Sequence, residues 1–419
     1  MTSKKLTSTI LINVLAIIAG ILVGNTLGPK STFFAFLGWF PVAIMKGLAS
    51  PLLFLAILHG LMNDQISGKG ARRLAITCLI NAFAAMSIAM LLVFIFRPGE
   101  ALKQLVSVVL AEHGATSGSL IKSVTWLEAL KALIPESVIA PFVTNNVPAI
   151  LVLALLSGYG VRRAGLAGGE SAGWFGSLRQ MIEAALSVVS QMMMVLMKVM
   201  PLAIFAAVTR ATGEHGVGVF KGLGVYVLIC VGGMLLQILL VYQGWIWFWA
   251  RRNLLEFWRA ARQPVIFAFG VNSSLATLPS TLAGLDELKV SPGASRLGAC
   301  IGTNFNNDGI LLYEVAAVMM LAQAAGLDWT IGHQLWIAFV CVLATFGVGG
   351  FPEAGIIALS LVLSTANLPS EILPLLLPVD WIVARMRSAT NVVSDMTVSL
   401  VIDAESSAAV VSESGTLMQ

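Results

Sequence analysis

Six apolar runs, near residues 6–28, 33–63, 73–96, 138–161, 180–210 and 217–250, fill the N-terminal part of the chain. Each reaches the ~18 residues that a helix needs to cross a hydrocarbon core. Only 11% of the residues are charged and 58% are hydrophobic, against about 25% charged in an average soluble chain. Such a chain cannot cover its apolar surface with its own charges, so the spacing predicts an all-α integral membrane protein. The first run, Leu6 to Leu27, is longer than a signal-peptide core and has no small-residue cleavage site, and is expected to stay as an anchor.

Six crossings return residue 251 to the side of the N terminus. Lys4, Lys5, Lys69, Arg72, Arg73, Arg162, Arg163, Arg251 and Arg252 all fall on that side. Cytoplasmic loops carry such an excess of Lys and Arg, so that side is read as the cytoplasm of the cell membrane, with both termini there. The segment 98–137 mixes charges with short apolar patches and is expected to form half-helices at the outer surface.

Charge and composition also exclude classes. Net charge is only +4, and the basic residues sit in short loops without interleaved aromatics, which argues against nucleic-acid binding. Cys78, Cys230, Cys300 and Cys341 are far apart in apolar segments, so neither a disulfide framework nor a metal site is expected. An enzyme needs a nucleophile with a base, or a metal set. Ser273 and Ser274 could hint at an intramembrane protease, but His59, His113, His215 and His333 show no triad-like placement and there is no H-E-x-x-H.

From about residue 255 to 403 the apolar runs are broken by polar residues, at 271–279, 304–309 and 346–355. Ordinary loops outside the membrane are one reading. The other is non-helical backbone at membrane depth, which survives only when buried in protein or lining a cavity, and which predicts a midplane site built from two re-entrant hairpins and a broken helix. The last span favours the second. Asp380, Ala384, Arg387, Asn391 and Asp395 follow at spacings of three or four and share one helical face. Two acids, an arginine and an asparagine are too costly to face lipid; they mark either a solute pathway or a structural ion-pair network.

At these residues the chain resembles a known family, the dicarboxylate/amino acid:cation symporters, or glutamate transporter family. DWIVARMRSATNVVSD at 380–395 is similar to the last-helix motif DWFLDRxRTTxNVxGD, and NFNNDGI at 304–310 to TINMDGT. SSLATLP at 273–279 is similar to SSSATLP, GGFPEAG at 349–355 to AGxPxAG, and KGLASPLL at 46–53 to KMxxxPLx. The resemblance implies eight transmembrane helices plus two re-entrant hairpins, an elevator-type fold assembled as a homotrimer. It implies scaffold helices one and two over 1–72, a third helix of the transport domain over 73–97, and scaffold helices four and five over 98–213. The transport domain would resume over 214–403 with the sixth helix, hairpin one, the seventh helix, hairpin two and the eighth helix, and a cytoplasmic tail would cover 404–419.

The resemblance also implies roles. Arg387 matches the arginine that pairs with the substrate's distal carboxylate, and a guanidinium fork suits a carboxylate; the alternative is a permanent pair with an acid such as Glu314. Asn391 matches the residue on the other carboxylate, Ser274 a hairpin-tip contact, and Gly350, Phe351 and Gly355 the second hairpin tip. Asn306, Asn391 and Asp395 match one sodium site and Asp308 a deeper one, since hard cations take oxygen ligands. Four departures bear on cations and substrate. Ile80-Asn81 stands where the family completes the deep site with Thr-Ser, and Val348 replaces a hairpin threonine near a third. Ala384 replaces the aspartate that binds a substrate's amino group, and Ile310 replaces a substrate-contacting threonine. An ammonium buried without a counter-charge is unfavourable, so a C4-dicarboxylate is preferred over glutamate or aspartate. Glu314 matches the glutamate of proton-coupled members, and is either a proton carrier or locked to Arg385 or Arg387. The expected function is sodium-coupled, and proton-assisted, symport of an acidic solute; the alternative is an uncoupled, anion-conducting channel-like member.

Overall fold

The computed structural model describes residues 3–63, 68–103, 106–107, 131, 134–135, 137–166, 172–216, 219–345, 354–368 and 370–416. Every regular element among them is helical. The first part runs through α1 (Ser3–Leu27), α2 (Ala35–Asn63), α3 (Gly68–Phe96), α4 (Val147–Leu166), α5 (Ala172–Met197), α6 (Met200–His215) and α7 (Val219–Leu236). Five helices among the described residues are long and apolar enough to cross a bilayer, six if α5 and α6 count as one span. Sequence periodicity reads 180–210 as a single crossing; the structure bends it by 48° between α5 and α6. The cause is local. Pro201, in the first turn of α6, lacks an N–H and its ring crowds the carbonyl four residues back. Most of the segment 98–137, where half-helices were expected, lies outside the described residues.

α7 does not stop at Leu236. It continues through two π-helical stretches, Gln237–Tyr242 and Trp245–Trp249. An extra residue per turn rotates everything beyond it relative to an α-helical register, and such stretches often sit at functional sites. Here the rotation carries Tyr242 into the interior, where it is fully buried.

The polar interruptions are breaks between packed helices. α8 (Leu254–Val271) and α9 (Ser274–Glu287) fold back on each other. At their junction Asn272 is left-handed, with φ 52°, a conformation that Asn tolerates better than most residues. Ser273 then caps α9, its hydroxyl accepting from the N–H of Ala276 at 3.1 Å. Downstream, helical turns over Pro292–Ser295, Arg296–Ile301 and Gly302–Phe305 run into a break at Asn306 and Asn307. α10 (Asp308–Ala324) starts beyond it. α11 (Ile331–Thr345) and α12 (Ala354–Thr365) pack on each other; the residues that join them, Gly350 and Phe351 included, lie outside the described set. α13 (Leu377–Thr416) closes the fold.

α10 explains the layout. It is apolar on every side and buried from Asp308 to Ala322, so it must be surrounded. α3, α7, α11, α12 and α13 surround it, while α8 and α9 lie on α13. On the other side of the molecule α1 packs on α6, and α2 on α4, α5 and α6. The break before α10 therefore falls in the interior, opposite the middle of α13.

Candidate functional site

The stripe on α13 faces protein. Asp380, Arg387, Asn391 and Asp395 are each only 2% exposed and Ala384 is fully covered. Arg387 and Asp380, two turns apart on the same helix, form an ion pair: Nη1 donates to Oδ1 at 3.0 Å and Nη2 to Oδ2 at 3.5 Å. The guanidinium also lies over the ring of Tyr313 on α10, 4.1 Å from its centroid. A cation stacked on an aromatic face and held by a carboxylate keeps one orientation. At Gly355, near the start of α12, an added Cβ would come within 2.2 Å of Arg387 Nη1. The missing side chain lets α12 lie directly on the guanidinium without displacing it.

Besides the solute's carboxylate, the sequence leaves open a permanent pair of Arg387 with an acid such as Glu314; the acid paired with it among the described residues is Asp380. Glu314 is fully buried on α10, and among the described residues neither of its carboxyl oxygens has a hydrogen-bond partner. Arg385, the other arginine of this stretch, donates from Nη1 to the carbonyl of Trp381. Two signals could have found the Arg387 setting in advance: the i,i+7 spacing of Asp380 and Arg387, and the aromatic Tyr313 beside Glu314.

The broken helix meets α13 through amides. The N–H of Gly309 donates to Asn391 Oδ1 at 2.9 Å, and Asn391 Nδ2 donates to Asn307 Oδ1 at 3.3 Å. Asn307 Nδ2 in turn reaches the carbonyl of Thr345, the last residue of α11, at 3.3 Å. An added Cβ on Gly309 would sit 2.7 Å from the Arg387 carbonyl oxygen, which explains a glycine there. The α8–α9 junction is fixed to the same region. Ser388 donates to Asn272 Oδ1 at 3.1 Å, and Thr303 to Ser274 Oγ at 3.3 Å. Ser274, Asn306, Asp308, Glu314, Gly355, Arg387, Asn391 and Asp395 are thus all buried around one break in one helix.

Two carboxylates beside the break differ in what surrounds them. Thr303 and Asn306 face the carboxyl of Asp395. Among the described residues, Asp395 Oδ1 and Asn306 Oδ1 are buried oxygens without a hydrogen-bond partner. Orphaned oxygen lone pairs next to a carboxylate fit a hard monovalent cation. Asp308 is engaged instead: Tyr242 donates to its Oδ2 at 2.7 Å and Ser394 at 2.8 Å. Neither Tyr242 nor Ser394 stands out in the sequence, because the π-helical stretch and a lone serine carry no pattern.

Comparison with known proteins places the chain in a family. The model of the sodium:dicarboxylate symporter family matches residues 9–405. Three similar proteins carry the name C4-dicarboxylate transport protein. The one from Xylella fastidiosa is 26% identical over 395 residues, covering 93% of this chain and 86% of its own. Those from Paraburkholderia phymatum and Delftia acidovorans are 25% identical over 400 residues and 26% over 398, each covering 93% of this chain and 91% and 87% of their own.

Proposed function

The chain belongs to the sodium:dicarboxylate symporter family, and from that premise we propose that it carries a C4-dicarboxylate into the cell together with sodium. It is a transport protein, multi-pass in the membrane, and not an enzyme. The observation that carries the substrate reading is the setting of Arg387, a buried guanidinium over Tyr313 and against Asp380. Its neighbour one turn back is Ala384, fully buried and without charge. A fixed guanidinium with an uncharged alanine at the position one turn back suits an acid that carries no ammonium. The names of the similar proteins point to the same class.

For the cation, Asp395 and Asn306 are the residues that would hold sodium, supplying a carboxylate and an amide oxygen. A bound sodium supplies positive charge beside the solute's site; the residues of this chain hold the two near the same break. Asp395→Asn removes the charge and keeps the shape. We expect the sodium concentration for half-maximal uptake to rise about tenfold or more, as for a pair worth upwards of ~1.4 kcal/mol. An unchanged sodium dependence counts against the assignment.

Glu314 is the candidate proton carrier, since a buried carboxyl without a hydrogen-bond partner among the described residues is costly when charged and cheap when protonated. Glu314→Gln fixes the neutral form, so the variant's uptake should lose the dependence on external pH that is expected of the parent. A pH profile that survives the change removes Glu314 from that role.

The packing of α1, α2 and α4–α6 on one another, and of α3 and α7–α13 around the site, supports a fixed scaffold and a moving transport unit. Homotrimeric assembly, an elevator-type movement with eight crossings and two re-entrant hairpins, and cytoplasmic termini in the inner membrane belong to the same reading. Titration calorimetry of the purified full-length protein tests the substrate side. Succinate, fumarate or malate should bind in sodium and far more weakly in its absence, with aspartate and glutamate weaker than all three. Tight aspartate binding that ignores these dicarboxylates overturns it.

A further inference from the structure

Asp308 is one of two buried acids beside the helix break, and its surroundings are made of hydrogen-bond donors. Its Oδ2 receives the hydroxyl protons of Tyr242, at 2.7 Å, and Ser394, at 2.8 Å. The direction of the Ser394 proton is set by what lies behind it. Asn306 Nδ2 donates to Ser394 Oγ at 2.7 Å and Asn81 Nδ2 at 3.5 Å, which engages the oxygen's lone pairs and leaves its hydrogen for the carboxylate. Asn81 is held in that orientation, since its Oδ1 accepts from Trp245 Nε1 at 2.8 Å and its carbonyl from Gln237 Nε2 at 3.1 Å. Asp308 is also the first residue of α10, where the unpaired N–H groups of a 17-residue helix favour a negative charge.

A hard cation needs the opposite arrangement, oxygen lone pairs converging on one point. The Asp395 side offers that, with two oxygens that have no hydrogen-bond partner among the described residues. At Asp308 two hydroxyls point their hydrogens at the carboxylate, and the lone pairs of Ser394 are turned to amides. We propose that Asp308 is a fixed anion of the fold, met by the hydroxyls of Tyr242 and Ser394, and that cation coupling in this chain runs without it. Tyr242 then takes the part of a resident counter-group, delivered by the π-helical stretch of α7. The inference rests on the reading that the protein couples to sodium, and its test separates the two.

The full-length protein is purified in detergent and its thermal unfolding followed against sodium concentration, in choline-balanced buffer, without substrate. Asp395→Asn should move the midpoint of sodium stabilisation upward by about tenfold or more. Asp308→Asn should leave that midpoint within about twofold, and so should Tyr242→Phe. A tenfold weakening in Asp308→Asn, or in Tyr242→Phe if the first variant does not fold, overturns the proposal. A second readout does not involve sodium. Tyr242→Phe should lower the melting temperature by about 2–4 °C with Asp308 present, and by less in the Asp308→Asn background, where a charge-assisted bond has become a neutral one. Equal losses in both backgrounds overturn it. If sodium stabilises no form of the protein, the coupling reading fails while this double-mutant comparison still decides the role of Asp308.

Discussion

Arg387→Ala should abolish dicarboxylate uptake. Truncating one partner of a buried, hydrogen-bonded charge pair costs about 2–5 kcal/mol, and 3 kcal/mol alone is a loss of more than a hundredfold in affinity. The structure adds a second consequence. Arg387 is paired with Asp380 on its own helix, both side chains 3% exposed, so its removal leaves a buried carboxylate uncompensated and destabilises the fold by about 3–5 kcal/mol. Loss of uptake alone could then reflect loss of protein. Asp380→Asn combined with Arg387→Ala separates the two, because the neutral amide no longer needs the guanidinium. The double variant should recover the thermal stability lost by Arg387→Ala and remain inactive. Uptake in the double variant near the parent's level would mean that the solute is recognised elsewhere.

Ala384→Asp should exchange the preferred substrate. Residue 384 lies one turn from Arg387 on the α13 stripe and is fully buried, so a carboxylate there faces the same space as the guanidinium. Against an anionic solute about 4 Å away, at an effective dielectric of about 20, the repulsion is about 4 kcal/mol, close to a thousandfold in affinity. Protonation of the new acid would reduce the figure without changing its sign. Aspartate should gain, since its ammonium acquires a partner. Competition between succinate and aspartate on both forms reads this directly. If the parent already prefers aspartate and the change leaves that preference alone, the amine is bound by other groups and the dicarboxylate reading is wrong.

Much of this architecture is legible in the sequence because lipid imposes a simple rule on composition: α1 to α3 and α7 follow the apolar runs closely. The break before α10 is legible for the converse reason, since Asn306, Asn307 and Asp308 in series have no place in an unbroken membrane helix. The shared face of Asp380, Arg387, Asn391 and Asp395 follows from spacing alone. The same spacing sets Asp380 two turns before Arg387, but an acid such as Glu314 on another helix stays open as its partner until the packing of α10 on α13, close at Gly309, is known. Tyr242 is invisible for another reason: an α-helical period misplaces every residue beyond the π-helical stretch. The bend between α5 and α6 could have been read from Pro201, but a long apolar run on both sides of it conceals the break.

The central claim, coupled transport, is tested most directly by succinate uptake into sealed proteoliposomes holding the purified protein, with a sodium gradient directed inward. The account predicts that internal succinate rises several-fold above the external concentration, overshoots, and falls back when the sodium gradient is dissipated. Succinate that only reaches the external concentration, at a rate indifferent to sodium, would contradict it and mark the protein as an uncoupled, channel-like member of its family.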